Sequence, residues 1–350
     1  MERAIILVDG YFDSIDGKTA HGLIRYSKRW RIVGVIDSKY AGKDAGEILD
    51  GIPRGIPIFS SLDEALRNVD FEWLIIGVAT EGGKLPREFL PTIKEALKRG
   101  ISIVSGLHEF LSEMKEFREI ARYSGAKIID VRKIFMNRKI PFRGVIEEVK
   151  AFKVAVLGTD AAIGKRTTAI LLHEGLKELG YKSVFIGTGQ TAWMQGVSDY
   201  VVVLDALIND FVAGNIEDVI YRAWIKEKPE LMIIEGQGSI FHPAFPGSFE
   251  IIAAARPDAI ILQHALKRKT FDGFPKYPIP PLDDYIFVLQ KLSGSPIIGI
   301  SINHEMMTKD EVRDYCRWCT KRFGLICRDP LWDGVDDFIE RIISLKEEIS

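Results

Sequence analysis

The sequence predicts an α/β protein made of two doubly wound domains with mostly parallel sheets. Three observations predict it. Short β-branched runs alternate with longer amphipathic ones along the chain, as strands covered by helices require. The alternation breaks near residues 133–151 and then restarts. The restart leads into the glycine-bearing stretch GTDAAIGKRTTA at residues 158–169.

In the first part, AIILVDG (4–10), RIVGVIDS (31–38), WLIIGVAT (73–80), ISIVSG (101–106) and KIIDVR (127–132) read as buried strands. Helices lie between them. SLDEALRNV opens on a serine suited to capping a helix, and PREFLPTIKEALKRG closes on a glycine suited to stopping one. The segment KIFMNRKIPFRGVIEEVKA has no clean period and carries a proline, so domains are expected at 1–133 and 152–350 with a linker at 134–151. In the second domain FKVAVLG (152–158), SVFIGTG (183–189), YVVVLDA (200–206), LMIIEGQ (231–237), AIILQHA (259–265) and IIGISIN (297–303) read as strands.

Composition narrows the function classes. The 350 residues are enough for two cores, and 47 Lys+Arg against 49 Asp+Glu leave no basic field for nucleic acid. Apolar runs fall short of the roughly 20 residues that span a bilayer, so no membrane partner is expected. MERAIILVDG enters a strand-like run directly, and a cytoplasmic protein without a secretion signal is expected. Three cysteines, an odd number, argue against a disulfide framework. A small-molecule substrate and a homo-oligomer are the expected partners.

The 158–169 stretch carries the chemistry. Between a strand and an amphipathic helix that stops at Gly180, the loop bounded by Gly158 and Gly164 lets backbone N–H groups converge on an oxyanion, and Lys165 adds a full positive charge. Thr159 and Asp160 belong to the same phosphate-binding loop. Such loops usually place a Ser or Thr after the lysine to hold magnesium, and here that position is Arg166, with Thr167 and Thr168 next along. Two readings are open. Lys165 and Arg166 neutralise a diphosphate directly, as guanidinium can without metal, or Thr167 and Glu235 rebuild a magnesium site for ATP.

The loop GTDAAIGK and the strand-end segment LMIIEGQGS resemble those of dethiobiotin synthetase and its relatives. A wider resemblance runs over nearly the whole chain through DGKTAHGLIRY, GKDAGEILDG, GTDAAIGKRTTA, GTGQTAW, DFVAGNIED, EGQGSIFHPAFPG and GISIN. These stretches are similar to the 1611 family of domains of unknown function. The resemblance implies a Rossmann-like N-terminal domain, a P-loop NTPase-like C-terminal domain and, for some members, D-glutamate N-acetyltransferase activity with acetyl-CoA as donor.

Other polar residues fall at predicted strand ends, where open α/β sheets bind ligands. Gln190, Asp210, Gln237 and Ser239 are substrate-side candidates, and Asn303 is a cofactor-side one. His242, in the Pro- and Gly-bearing loop FHPAFPG, is the first candidate to take a proton from an attacking amine, with Glu235 the alternative and His264 a weaker choice. In the first domain Gly17, Lys18 and Thr19 open a helix suited to an anion, and Asp37 stands where a ribose-binding acid would sit, although no G-x-G-x-x-G is present. Cys316 and Cys319, at C-x-x-C spacing, fall within one helical stretch and read as core rather than as zinc ligands with Cys327 and His304. Three function classes follow: an acetyl-CoA-dependent N-acyltransferase acting on a small acidic amino acid, a magnesium-ATP carboxylate kinase or ligase, and a non-catalytic nucleotide sensor.

Overall fold

The computed structural model describes residues 1–349 and divides into two compact units. Residues 1–137 with 190–199 form the first; residues 138–189 with those from 200 onward form the second.

In the first unit the strands are Glu2–Leu7 (β1), Trp30–Ile36 (β2), Ile58–Phe59 (β3), Trp73–Ile76 (β4), Ser102–Ser105 (β5) and Ile128–Asp130 (β6). They pair in parallel in the order β3-β2-β1-β4-β5-β6, a doubly wound sheet. Its centre is apolar on both faces: Ile5, Ile6, Leu74 and Ile75 are fully buried, as a parallel sheet covered by helices requires. Six helices follow the strands: Lys18–Arg25 (α1), Ala45–Asp50 (α2), Leu62–Asn68 (α3), Leu90–Lys98 (α4), Lys115–Ser124 (α5) and Val131–Phe135 (α6). Ser61 caps α3 by accepting the Glu64 N–H, and Gly100 takes a left-handed φ of 78° just beyond α4.

The second unit has strands Phe152–Gly158 (β7), Ser183–Ile186 (β8), Leu231–Glu235 (β9), Ala259–His264 (β10), Thr270–Phe271 (β11), Phe274–Pro278 (β12), Ile297–Ile302 (β13) and Ile326–Arg328 (β14). Six of them make a parallel sheet in the order β14-β13-β10-β7-β9-β8, while β11 and β12 form an antiparallel hairpin. β7 is buried along its whole length between β10 and β9. The loop after β7 is therefore flanked by the ends of its two neighbours. The helices are Lys165–Glu178 (α7), Gln190–Gln195 (α8, in the first unit), Val212–Glu227 (α9), Ser248–Ala255 (α10), Leu282–Ser293 (α11), Lys309–Phe323 (α12) and Asp336–Ile349 (α13).

Three expectations are corrected. YVVVLDA is not a strand: one parallel bridge joins Val201 to Gly187, and the chain then turns into a 3-10 helix at Leu204–Ala206. Its valines are buried, which explains the misleading apolar run. β7 has the bounds expected, but the other strands read from the sequence stop earlier, because buried residues continue past the last paired one into the loops; β4, for example, ends at Ile76 while Val78 is still buried. Finally, Gln190 and Thr191 belong to the first unit. There the Gln195 amide donates to the Gly22 and Tyr26 carbonyls at 2.8 and 3.1 Å, and Arg29 donates to the Trp193 carbonyl at 2.8 Å while lying over its ring. Among the described residues no helix is long and apolar enough to cross a membrane.

Candidate anion-binding site

The loop between β7 and α7 is held from several sides. Gly164 enters α7 at a φ of 100°, a conformation that favours glycine, and Ala162 also takes a left-handed φ of 51°. Such a loop persists when its surroundings over-determine it. Asn303 Nδ2 donates to the Ile163 carbonyl at 3.0 Å, and the Tyr285 hydroxyl donates to the Thr159 carbonyl at 2.7 Å. Arg268 Nη1 donates to the Ala161 carbonyl at 2.8 Å, and its Nη2 reaches the Ala162 carbonyl at 3.4 Å.

Asp160 is the buried hub. Its carboxylate accepts the Ala161 N–H at 2.7 Å, the Asp272 N–H at 3.2 Å and Arg268 Nη1 at 3.0 Å. Burial acts to lower the Arg268 pKa, but Glu305, 2.8 Å from its Nε, and Asp160 outweigh that and hold the guanidinium charged. His242 Nε2 faces the same carboxylate at 3.5 Å. His242 Nδ1 accepts from the Ala244 and Phe245 amides at 3.1 Å each, which puts the lone pair on Nδ1 and the proton on Nε2. Phe245, Phe271 and Phe274 surround the ring. Burial lowers its pKa, only partly offset by Asp160 and Asp272. In this geometry the Nδ1 lone pair is taken up by two loop amides and is not offered to an incoming amine.

Lys165 is buried, and its Nζ donates to the Asp160 carbonyl at 2.6 Å. Beside it, Arg166 Nη1 lies 3.5 Å from Glu235 Oε1, while Glu235 Oε2 accepts the Thr188 N–H at 2.8 Å. Thr188 Oγ1 donates to the Glu235 carbonyl, and Gln237 Nε2 donates to the Thr188 carbonyl at 3.3 Å. The strand-end carboxylate that a magnesium site would use thus already faces a cation. Thr168 is fully buried, its hydroxyl donating to Gln263 Oε1 at 2.6 Å and facing Ser301 Oγ at 3.2 Å. Thr167 is half-exposed. With no hydroxyl at position 166 and Glu235 opposite a guanidinium, this donor set does not fit magnesium. It does fit a diphosphate, which needs converging N–H groups and cations.

The remaining candidates divide. Ser239 Oγ donates to Tyr285, which carries it into the loop network, and burial raises the Tyr285 pKa. His264 Nδ1 meets Thr159 Oγ1 at 3.0 Å, and burial, helped by Lys269, pushes its pKa down to about 4. Asp210 is exposed in the turn Asn209–Phe211, outside this cluster. In the first unit Gly17 precedes α1, and the Thr19 hydroxyl is buried against Thr191 Oγ1 at 3.1 Å and Gln190 Nε2 at 2.8 Å. The Gln190 amide nitrogen is thus spent on Thr19 and Thr191. Asp37 accepts the Gly10, Lys39 and Tyr40 amides, so its carboxylate is spent on the backbone rather than offered to a ribose. His304 pairs with Asp329 at 2.6 Å and stacks on Trp332, and among the described residues no group of three metal-ligating side chains gathers. Sequence reading missed Arg268, Asp272, Gln263 and Tyr285. The run KRK two residues beyond the end of β10 was the available signal for Arg268.

With this geometry in place, relatives can be compared. The profile of a domain of unknown function described as the DUF1611 P-loop domain matches residues 140–339, and that of the DUF1611 N-terminal Rossmann-like domain matches residues 38–134. The chain belongs to the DUF1611 family. A DUF1611 protein from Anabaena variabilis ATCC 29413, solved by crystallography at 2.30 Å, superposes with a TM-score of 0.90 at 31% identity, covering 98% of this chain and all of that one. A D-glutamate N-acetyltransferase of Pseudoalteromonas sp. is 32% identical over 275 residues, 77% of this chain and 80% of the relative. The protein of the same name from Tritonibacter scottomollicae is 32% identical over 278 residues, 78% of this chain and 81% of the relative.

Proposed function

We propose that this DUF1611 protein is an N-acyltransferase that moves the acetyl group of acetyl-CoA to the amine of a small acidic amino acid, of which D-glutamate is the first to test. The observation that carries the reading is Arg166 standing at the metal-hydroxyl position and facing Glu235. The names of the two curated relatives support the choice of reaction.

In this reading the loop N–H groups, the N-terminus of α7, Lys165 and Arg166 hold the diphosphate of the donor, which is never cleaved. Binding draws Arg166 from Glu235 to the phosphate. The released carboxylate then takes a proton from the substrate ammonium, and the amine nitrogen forms its bond to the thioester carbonyl carbon as the carbon–sulfur bond breaks. The departing thiolate recovers that proton through Glu235, and the second proton that the nitrogen sheds on becoming an amide passes to solvent, leaving amide and thiol. Asp160, Arg268 and His242 keep the loop in place and do not touch the reacting atoms.

The test is a calorimetric titration with acetyl-CoA and with ATP, each with and without magnesium, followed by a thiol-release assay with D-glutamate. Acetyl-CoA binding indifferent to magnesium, with thiol release that needs the amino acid, is the expected outcome. ATP binding that requires magnesium would transfer the protein to the kinase or ligase class. Acetyl-CoA binding without turnover on any acidic amino acid would make it a sensor.

A further inference from the structure

All three cysteines of the chain, Cys316, Cys319 and Cys327, meet in one buried cluster between α12 and β14, and none of them is in a disulfide. The local sequence brings them together. Gly324, at a φ of 69°, stops α12 and turns the chain back, and β14 begins at Ile326. From Cys316 to that turn is about 10 Å of helix, and extended chain returns at about 3.3 Å per residue, so Cys327 comes back level with Cys316. Cys319, three residues after Cys316, shares its helix face.

The Cys327 thiol donates to Cys316 Sγ at 3.2 Å and also hydrogen-bonds Cys319, which in turn bonds Tyr315. Sulfurs joined in a disulfide are about 2.05 Å apart, so closing the Cys316–Cys327 pair takes a shift of only about 1.2 Å. Exposure separates the three. Cys319 and Cys327 are fully buried, whereas Cys316 is 6% exposed and lines a groove of about 730 Å³ beside α12. A small solute entering that groove meets Cys316 before the other two.

We propose that Cys316 and Cys327 form a thiol pair that hydrogen peroxide converts to a disulfide, with Cys316 meeting the oxidant and Cys327 resolving it. The Cys316 sulfur attacks one peroxide oxygen, the O–O bond breaks, and the departing hydroxide leaves as water with the Cys316 proton, which makes a sulfenic acid. The Cys327 sulfur then attacks the Cys316 sulfur, the S–O bond breaks, and the second hydroxide leaves as water with the Cys327 proton. Two thiols give up two electrons together, and one peroxide becomes two waters. The new bond ties α12 to the edge strand of the second sheet, and a thiol reductant reverses it.

The experiment treats the full chain with hydrogen peroxide, alkylates the remaining thiols in denaturant and maps the tryptic peptides. Trypsin places the three cysteines on separate peptides, residues 314–317, 318–321 and 323–328. A cross-link between 314–317 and 323–328 is expected, with the alkylatable thiols falling from three to one and returning to three with dithiothreitol. Three thiols left alkylatable, a cross-link to 318–321 instead, or the same mixture of cross-links from the urea-unfolded chain overturns the pair. Cys316→Ser should leave Cys319 and Cys327 both unoxidised under the same treatment. A cross-link between 318–321 and 323–328 forming as readily in that variant would remove Cys316 from its role, and the map of the parent chain decides the pairing whether or not the variant folds.

Discussion

Arg166 Nη1 lies 3.5 Å from Glu235 Oε1, so a guanidinium stands where a phosphate loop of this spacing normally has a hydroxyl and a metal. Replacing it should expose the difference. Arg166→Ala is expected to weaken acetyl-CoA binding by about 10- to 100-fold, the weight of charged hydrogen bonds to phosphate. Arg166→Thr should also restore a hydroxyl beside an unpaired Glu235 and thereby create magnesium-dependent ATP binding. Calorimetry with and without the metal reads both outcomes.

Lys165→Ala removes the other cation. Donor binding should vanish while the far-ultraviolet circular dichroism spectrum stays that of the parent. Unchanged affinity in a folded variant would take the loop out of the mechanism.

Asp160 is fully buried against Arg268, and Asp160→Ala leaves that guanidinium without its carboxylate partner in the loop. Removing one member of a buried pair typically costs about 3–5 kcal/mol. Urea unfolding of the variant should show that loss, and a cost under about 1 kcal/mol would mean that water or Glu305 compensates Arg268 fully.

His264 makes the fold acid-sensitive. Its folded pKa, about 4, lies below the ordinary imidazole value of 6.5, so the unfolded chain binds the proton more readily. The contribution to stability is complete above pH 6.5 and falls away as the pH drops toward 4, by a few kcal/mol in all. His264→Gln, which keeps a polar partner for Thr159, should flatten the unfolding free energy across that interval.

Gly238 has a φ of 54°, and a β-carbon there would come within 1.7 Å of the Phe245 carbonyl oxygen. Gly238→Ala should disrupt the 238–247 loop, withdraw the Phe245 and Ala244 amides from His242, and lower the melting temperature. An unchanged melting temperature would show that the loop can relax around the methyl group.

Much of this architecture was legible in the chain because its causes are local. The 158–169 loop announces itself through a glycine and lysine spacing that the backbone requires, and the stop of α7 before Gly180 and the capped start of α3 at Ser61 follow from neighbouring residues alone. YVVVLDA misled because burial, not strand pairing, explains its valines. Arg268 and Asp160 are 108 residues apart, and no local pattern records that the turn after β10 brings them together. His242 was legible as a loop residue, but its hydrogen-bond partners were not. Its sequence context gives a loop histidine, while the two amides that occupy Nδ1 appear only when the chain folds back at Ala244 and Phe245.

The membership of α8 in the first unit has a consequence for how the protein is made. The Gly22 and Tyr26 carbonyls, Thr19 and Arg29 find their partners on residues 190–195, which leave the ribosome only after residues 138–189. A nascent chain that has emerged only as far as residue 137 therefore holds every strand of its first sheet and still lacks a helix that the sheet's own unit needs. The N-terminal unit cannot reach its final state ahead of the phosphate loop. Newly made chains must pass through a stage in which that gap is open.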